Sequence, residues 1–187
     1  MEFLLDKTGD QVTTRYVNPP QGMGIHPSQK WVILKKLSEH PVPVLPKDAA
    51  EGMGPAFTSG RYLCRRAGPG NEDLAFMRIY KQIPQTGTEH ATPSVRQQQA
   101  VGRYDHVELI ALRHMTDNRC TATPRLFGWE FEVQGPNDLV PGGYIVYCVW
   151  EKVPGDPLNT EKFWSLPYNQ RAEIRNNFKI AYSFVTE

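Results

Sequence analysis

The chain has 187 residues, 40% of them hydrophobic and 22% charged, a composition that suits one globular domain with a proper core. Its formal charge is +1 with scattered arginines and lysines, which excludes the electrostatic footprint of a nucleic-acid-binding or acidic-membrane-binding protein. Three isolated cysteines, Cys64, Cys120 and Cys148, form no C-x-x-C pair, "MEFLLDKTGD" does not read as a signal peptide, and the apolar run Tyr144 to Trp150 is too short to span a bilayer. The expectation is a cytoplasmic protein without a disulfide framework or a zinc site.

Residues 1–55 read as an N-terminal arm. "NPPQGMGIHP" and "PVPVLPKDAAEGMGP" are loops by composition. Between them, "SQKWVILKKLSEH" places Trp31, Leu34 and Leu37 at helical spacing between Pro27 and Pro41, which predicts a short amphipathic helix. In the core, 56–158, "RYLCRR" and "LAFMRIYKQI" predict two strands joined by the turn "AGPGNED". "SVRQQQAVGRYDHVELIALRHMTDN" predicts one long helix. "PRLFGWEFEVQ" and "GYIVYCVWEKV" predict a second hairpin. In 159–187, Pro167 opens a last helix with Ile174, Phe178, Ala181, Tyr182 and Val185 on one stripe. The sum is an α+β fold: a mostly antiparallel sheet, a long packed helix, an N-terminal helical arm and a C-terminal helix.

One strand buries a charge. In "LAFMRIYKQIP", Leu74, Phe76, Arg78 and Tyr80 share one face, and Ala75, Met77 and Ile79 the other. On the long helix, Val101, Tyr104, Glu108, Ala111, Leu112 and Met115 share the core-facing stripe, so Glu108 has the mirror-image problem. Pairing Arg78 with Glu108 through two parallel hydrogen bonds solves both; the alternative is that each reaches solvent separately. His106 and His114 lack the i, i+4 spacing of a shared metal site, and no metal is expected. Cys64 reads as a core residue, Lys81 and Arg65–Arg66 as solvated edge charges.

A cationic strand, a helix answering with glutamate, and two strands ending in "VWEKVPGDPL" resemble the small lobe of a protein kinase. More closely, the chain resembles fungal protein-kinase-like, aminoglycoside-phosphotransferase-like proteins. The shared motifs are Ala75–Tyr80, the "PGG" of Pro141–Gly143, the "VPG" of Val153–Gly155, and R-x-E-I-R-x-x-F at Arg171–Phe178. The resemblance covers residues 55–187, a small lobe with the first large-lobe helices. It implies that Arg78 replaces the nucleotide-contacting lysine, that Glu108 is its helix partner, and that Glu151–Val153 forms the hinge. The chain departs from the pattern at Phe76 and Trp150, which narrow a nucleotide slot, and at the irregular glycines of "EGMGPAFTSG". It has no H-x-D loop and no D-F-G, so phosphoryl transfer is not expected.

What remains is a kinase-like lobe that binds an apolar small molecule without a cofactor. Arg78, held by Glu108, would polarise a carbonyl or hold a carboxylate, with Phe76, Tyr80, Tyr147 and Trp150 around the ligand. A cofactor-free cyclase or isomerase of fungal secondary metabolism fits that description. The alternatives are a pseudokinase-like protein-interaction module, including a homodimer, and an inactive fragment of a larger kinase-like phosphotransferase.

Overall fold

The computed structural model describes residues 2–70, 73–155 and 158–186. Its strands are β1 (Gln11–Arg15), β2 (Ser28–Val42), β3 (Phe57–Arg66), β4 (Leu74–Gln82), β5 (Leu126–Val133) and β6 (Tyr144–Glu151). Both predicted hairpins form: β3 pairs antiparallel with β4, and β5 with β6. β6 then joins β4, with Phe76 opposite Trp150 and Arg78 opposite Cys148. The strands close into an antiparallel barrel in the order β1-β2-β3-β4-β6-β5.

This closure corrects the expected fold. The kinase-like small lobe implied an open sheet with a long packed helix, whereas here β1 bridges β2 to β5 and shuts the sheet on itself. The seam is narrow, a single pairing of Arg15 with Trp129. It depends on Gly128: a Cβ there would lie 2.8 Å from Thr14 Oγ1 and 3.0 Å from the Arg15 carbonyl oxygen. Closure removes the edges that an open sheet would have to protect.

The N-terminal helical arm is also corrected. "SQKWVILKKLSEH" is strand: Trp31 and Ile33 face inward, and Leu34 and Leu37 are the extra residues at the register shifts between Ile33 and Lys35 and between Lys36 and Ser38, with Leu37 exposed. Each shift advances the alternation by one residue, so a bulged strand imitates a helical period. The predicted long helix is two pieces, α2 (Pro93–Gln97) and α3 (Val107–Asp117), following a short α1 (Pro46–Ala50). The Gln82 side chain holds the break open: its Nε2 donates to the Gln99 carbonyl at 2.6 Å, and its Oε1 accepts from the Val101 amide at 2.9 Å. The buried stripe of α3 therefore runs through Leu109 and Thr116, while Ala111 is exposed.

Trp31, Ile33, Tyr62, Met77, Ile79 and Val149 fill the barrel interior, as expected for so few strands. One mouth is stoppered by the chain's own start. Leu4 packs inside, its amide and that of Phe3 donate to the Glu39 carboxylate, and Lys36 Nζ reaches both the Leu4 carbonyl (2.8 Å) and Glu39 (2.7 Å). A second apolar layer lies outside the barrel, where Leu109 of α3 packs over Tyr144, Val146 and Cys148 of β6. Two further helices, α4 (Thr160–Ser165) and α5 (Tyr168–Thr186), contain no buried residue between 160 and 183. No helix among the described residues is long and apolar enough to cross a membrane.

Candidate functional site

Strand alternation turns Phe76, Arg78 and Tyr80 outward from β4 and Ala75, Met77 and Ile79 inward. α3 crosses beside this outer face and brings Glu108 to it. Arg78 Nε and Nη2 donate to the two oxygens of Glu108, each at 3.0 Å, so the pair is bidentate. Tyr80 donates its hydroxyl to the same carboxylate. Burial and that bond push the Tyr80 phenol far above its ordinary range, so it stays a donor.

The Arg78 guanidinium also lies 5.7 Å from the Trp150 ring centroid, and Trp150 is 6.3 Å from Phe76. Two further cations, not foreseen from the sequence, sit over Phe76: Arg61 at 5.5 Å and Lys152 at 6.0 Å. Arg61 is the direct cross-strand partner of Arg78. Neither Arg61 nor Lys152 has an ion-pair or hydrogen-bond partner among the described residues, and Arg61 Nε is closed off from solvent. The hairpin register carried the signal for Arg61, since the pairing that begins at Arg65 and Leu74 sets β3 against β4 residue by residue.

Tyr147 is not part of this cluster. It points into the barrel and donates to Glu132 Oε2 at 3.1 Å. Tyr147 and Trp150 are an odd number of residues apart on one regular strand, so they must face opposite sides. Four of the five aromatic and cationic residues expected around a ligand are therefore gathered outside the barrel, and the fifth is core.

His106 occupies the next position along the outer face. Its ring stacks on Tyr80 with centroids 3.7 Å apart and meets the edges of Phe57, Tyr104 and Tyr144. Burial lowers its pKa to about 4, with nearby Asp105 opposing the shift, so the imidazole is neutral at neutral pH. Its Nε2 and the Tyr144 hydroxyl are both buried without a hydrogen-bond partner among the described residues. Lys81, expected as a solvated edge charge, pairs with Asp138 at 2.7 Å. Among the described residues no group of three or more His, Cys, Asp or Glu side chains is placed to hold a metal ion.

Among the described residues, the outer face offers a rigid guanidinium, two cations without an ion pair, the rings of Phe76, Tyr80 and Trp150, and one carboxylate, Glu108, which balances Arg78. No protein family, curated protein or solved structure matches the chain.

Proposed function

We propose that the protein binds a small apolar molecule bearing a carboxylate on the outer face of β3, β4 and β6. The observation that carries this reading is the Arg61–Arg78 register pair. Like charges directly opposite one another on adjacent strands repel, and Glu108 offsets only one of them. A ligand carboxylate beside Arg61 and Lys152 relieves the repulsion, while Phe76 and Trp150 receive its apolar part. Arg78, fixed by Glu108, then acts as a preorganised wall that needs no rearrangement on binding. The buried, unpaired Cys64 and Cys148 suit a reducing, cytoplasmic setting.

The test is a calorimetric titration with dodecanoate and, in parallel, with dodecanol. Saturable binding of the acid, at least tenfold weaker for the alcohol and for Arg61→Gln, is the expected result. Equal binding of acid and alcohol, or an unaffected Arg61→Gln protein, overturns the proposal.

A second reading rests on the C-terminal helices. Trp164, Phe178, Ile180 and Tyr182 are all more than half exposed, and Phe178 and Tyr182 stack along α5. That much apolar surface suits association with a second copy of the chain. Under this reading, Phe178→Glu converts a dimer seen by sedimentation into a monomer.

A further inference from the structure

Two more cations stand on the outer side of the sheet, beyond the cluster at Phe76. On β3, Arg61, Leu63 and Arg65 alternate with Tyr62 and Cys64, which point into the barrel, so all three share the side of Phe76. Register sets Arg61 against Arg78, Leu63 against Phe76 and Arg65 against Leu74, and Lys35 of β2 lies opposite Leu63. Phe76 in turn lies opposite Trp150. The face therefore runs in rows: Arg61 with Arg78, then the apolar Leu63, Phe76 and Trp150, then Arg65 with the exposed Leu74. Arg61 and Arg65 are about 13 Å apart along the strand.

The charges on this face do not cancel. Arg61, Arg65, Arg78, Lys35 and Lys152 stand on it, and among the described residues its one ion pair is that of Arg78 with Glu108. Lys152 also lines a cleft at the barrel end, where Arg66 and Arg125 accompany Asp73 and Glu151, and Arg125 takes Glu151. That neighbouring surface is likewise short of carboxylates. Arg65 has no ion pair among the described residues; its Nη1 donates only to the Arg66 carbonyl, at 3.3 Å.

We infer that the ligand of the outer face is an α,ω-dicarboxylate, an unbranched apolar chain with an acid at each end. The inference rests on the carboxylate-binding reading above and adds the far end of the ligand. One carboxylate lies beside Arg61 and Lys152, the chain crosses Leu63 and Phe76, and the second carboxylate meets the fork of Arg65. A plain alkyl end at that place would press a methyl group against the Arg65 guanidinium and strip its water without compensation. A carboxylate replaces that water with charge-assisted hydrogen bonds. The excess of cations also draws a doubly charged ligand more strongly than a singly charged one.

The experiment is a calorimetric titration of the whole chain with dodecanedioate, with its monomethyl ester and with butanedioate. The diacid is expected to bind at least tenfold more tightly than the ester, which has the same chain and one charge fewer. Arg65→Gln should bring the diacid down to the affinity of the ester and leave the ester unchanged. Butanedioate carries both charges but is far too short to join the two arginines, and it should bind at least tenfold more weakly than dodecanedioate. Equal binding of diacid and ester, an advantage that survives Arg65→Gln, or butanedioate as tight as dodecanedioate overturns the inference. The comparison of diacid with ester is made on the unaltered chain, so it decides even where Arg65→Gln does not fold. If the ester binds and the diacid gains nothing, this inference alone falls; if neither binds, the reading of the face falls with it.

Discussion

Arg78 and Glu108, thirty positions apart, meet through two hydrogen bonds of 3.0 Å, with Tyr80 donating to the same carboxylate. This contact ties α3 to the barrel wall at a point where both side chains are mostly withdrawn from water. Removing one partner leaves the other charge poorly solvated, while removing both does not. Glu108→Gln is therefore expected to lower stability by about 2 kcal/mol in urea unfolding. Arg78→Met combined with Glu108→Leu should recover a good part of that loss. A double variant as unstable as the sum of its singles would mean that the two groups are not coupled.

The stacked His106 makes stability depend on pH. Its folded-state pKa of about 4 lies below the unfolded value near 6.5, so the unfolded chain takes up the proton first as acid is added. The stabilisation is present above about pH 6.5 and is lost as the pH falls toward 4, a contribution on the order of 3 kcal/mol. His106→Phe keeps a ring against Tyr80 and cannot be protonated. Chemical denaturation at a series of pH values should give a flatter profile for this variant between pH 6.5 and 4; parallel profiles would remove His106 from the acid response.

The seam between β1 and β5 has one backbone pairing and one essential glycine. Gly128→Ala drives a methyl group toward Thr14 Oγ1 and the Arg15 carbonyl. Overpacking against backbone costs about 1–3 kcal/mol, and here it should act locally. Amide hydrogen exchange at Val12–Arg15 is expected to quicken while that of β3 and β4 stays slow. Unchanged protection in β1 would show that the seam tolerates a Cβ.

What could be read from the residues alone was the side each residue takes where the local period is unbroken. The period of two in 74–80 put Arg78 on the same face as Phe76 and Tyr80, and the helical spacing around Glu108 supplied the answering carboxylate. Turn chemistry marked both hairpins. The same period of two also sets Tyr147 apart from Trp150.

Other features were decided only by contacts between distant segments. The register shifts of β2 disguised a strand as a helix, and the Gln82 side chain interrupted what local pattern made continuous. Lys152, the second cation over Phe76, follows β6 and reaches the ring only because β6 pairs with β4. Above all, closure of the sheet rests on one pairing between residues 15 and 129, made possible by a missing side chain at 128. Local pattern determines which way a side chain points. Which strands meet is set by packing and backbone approach across the whole barrel, and a periodicity of two or 3.6 carries no record of that.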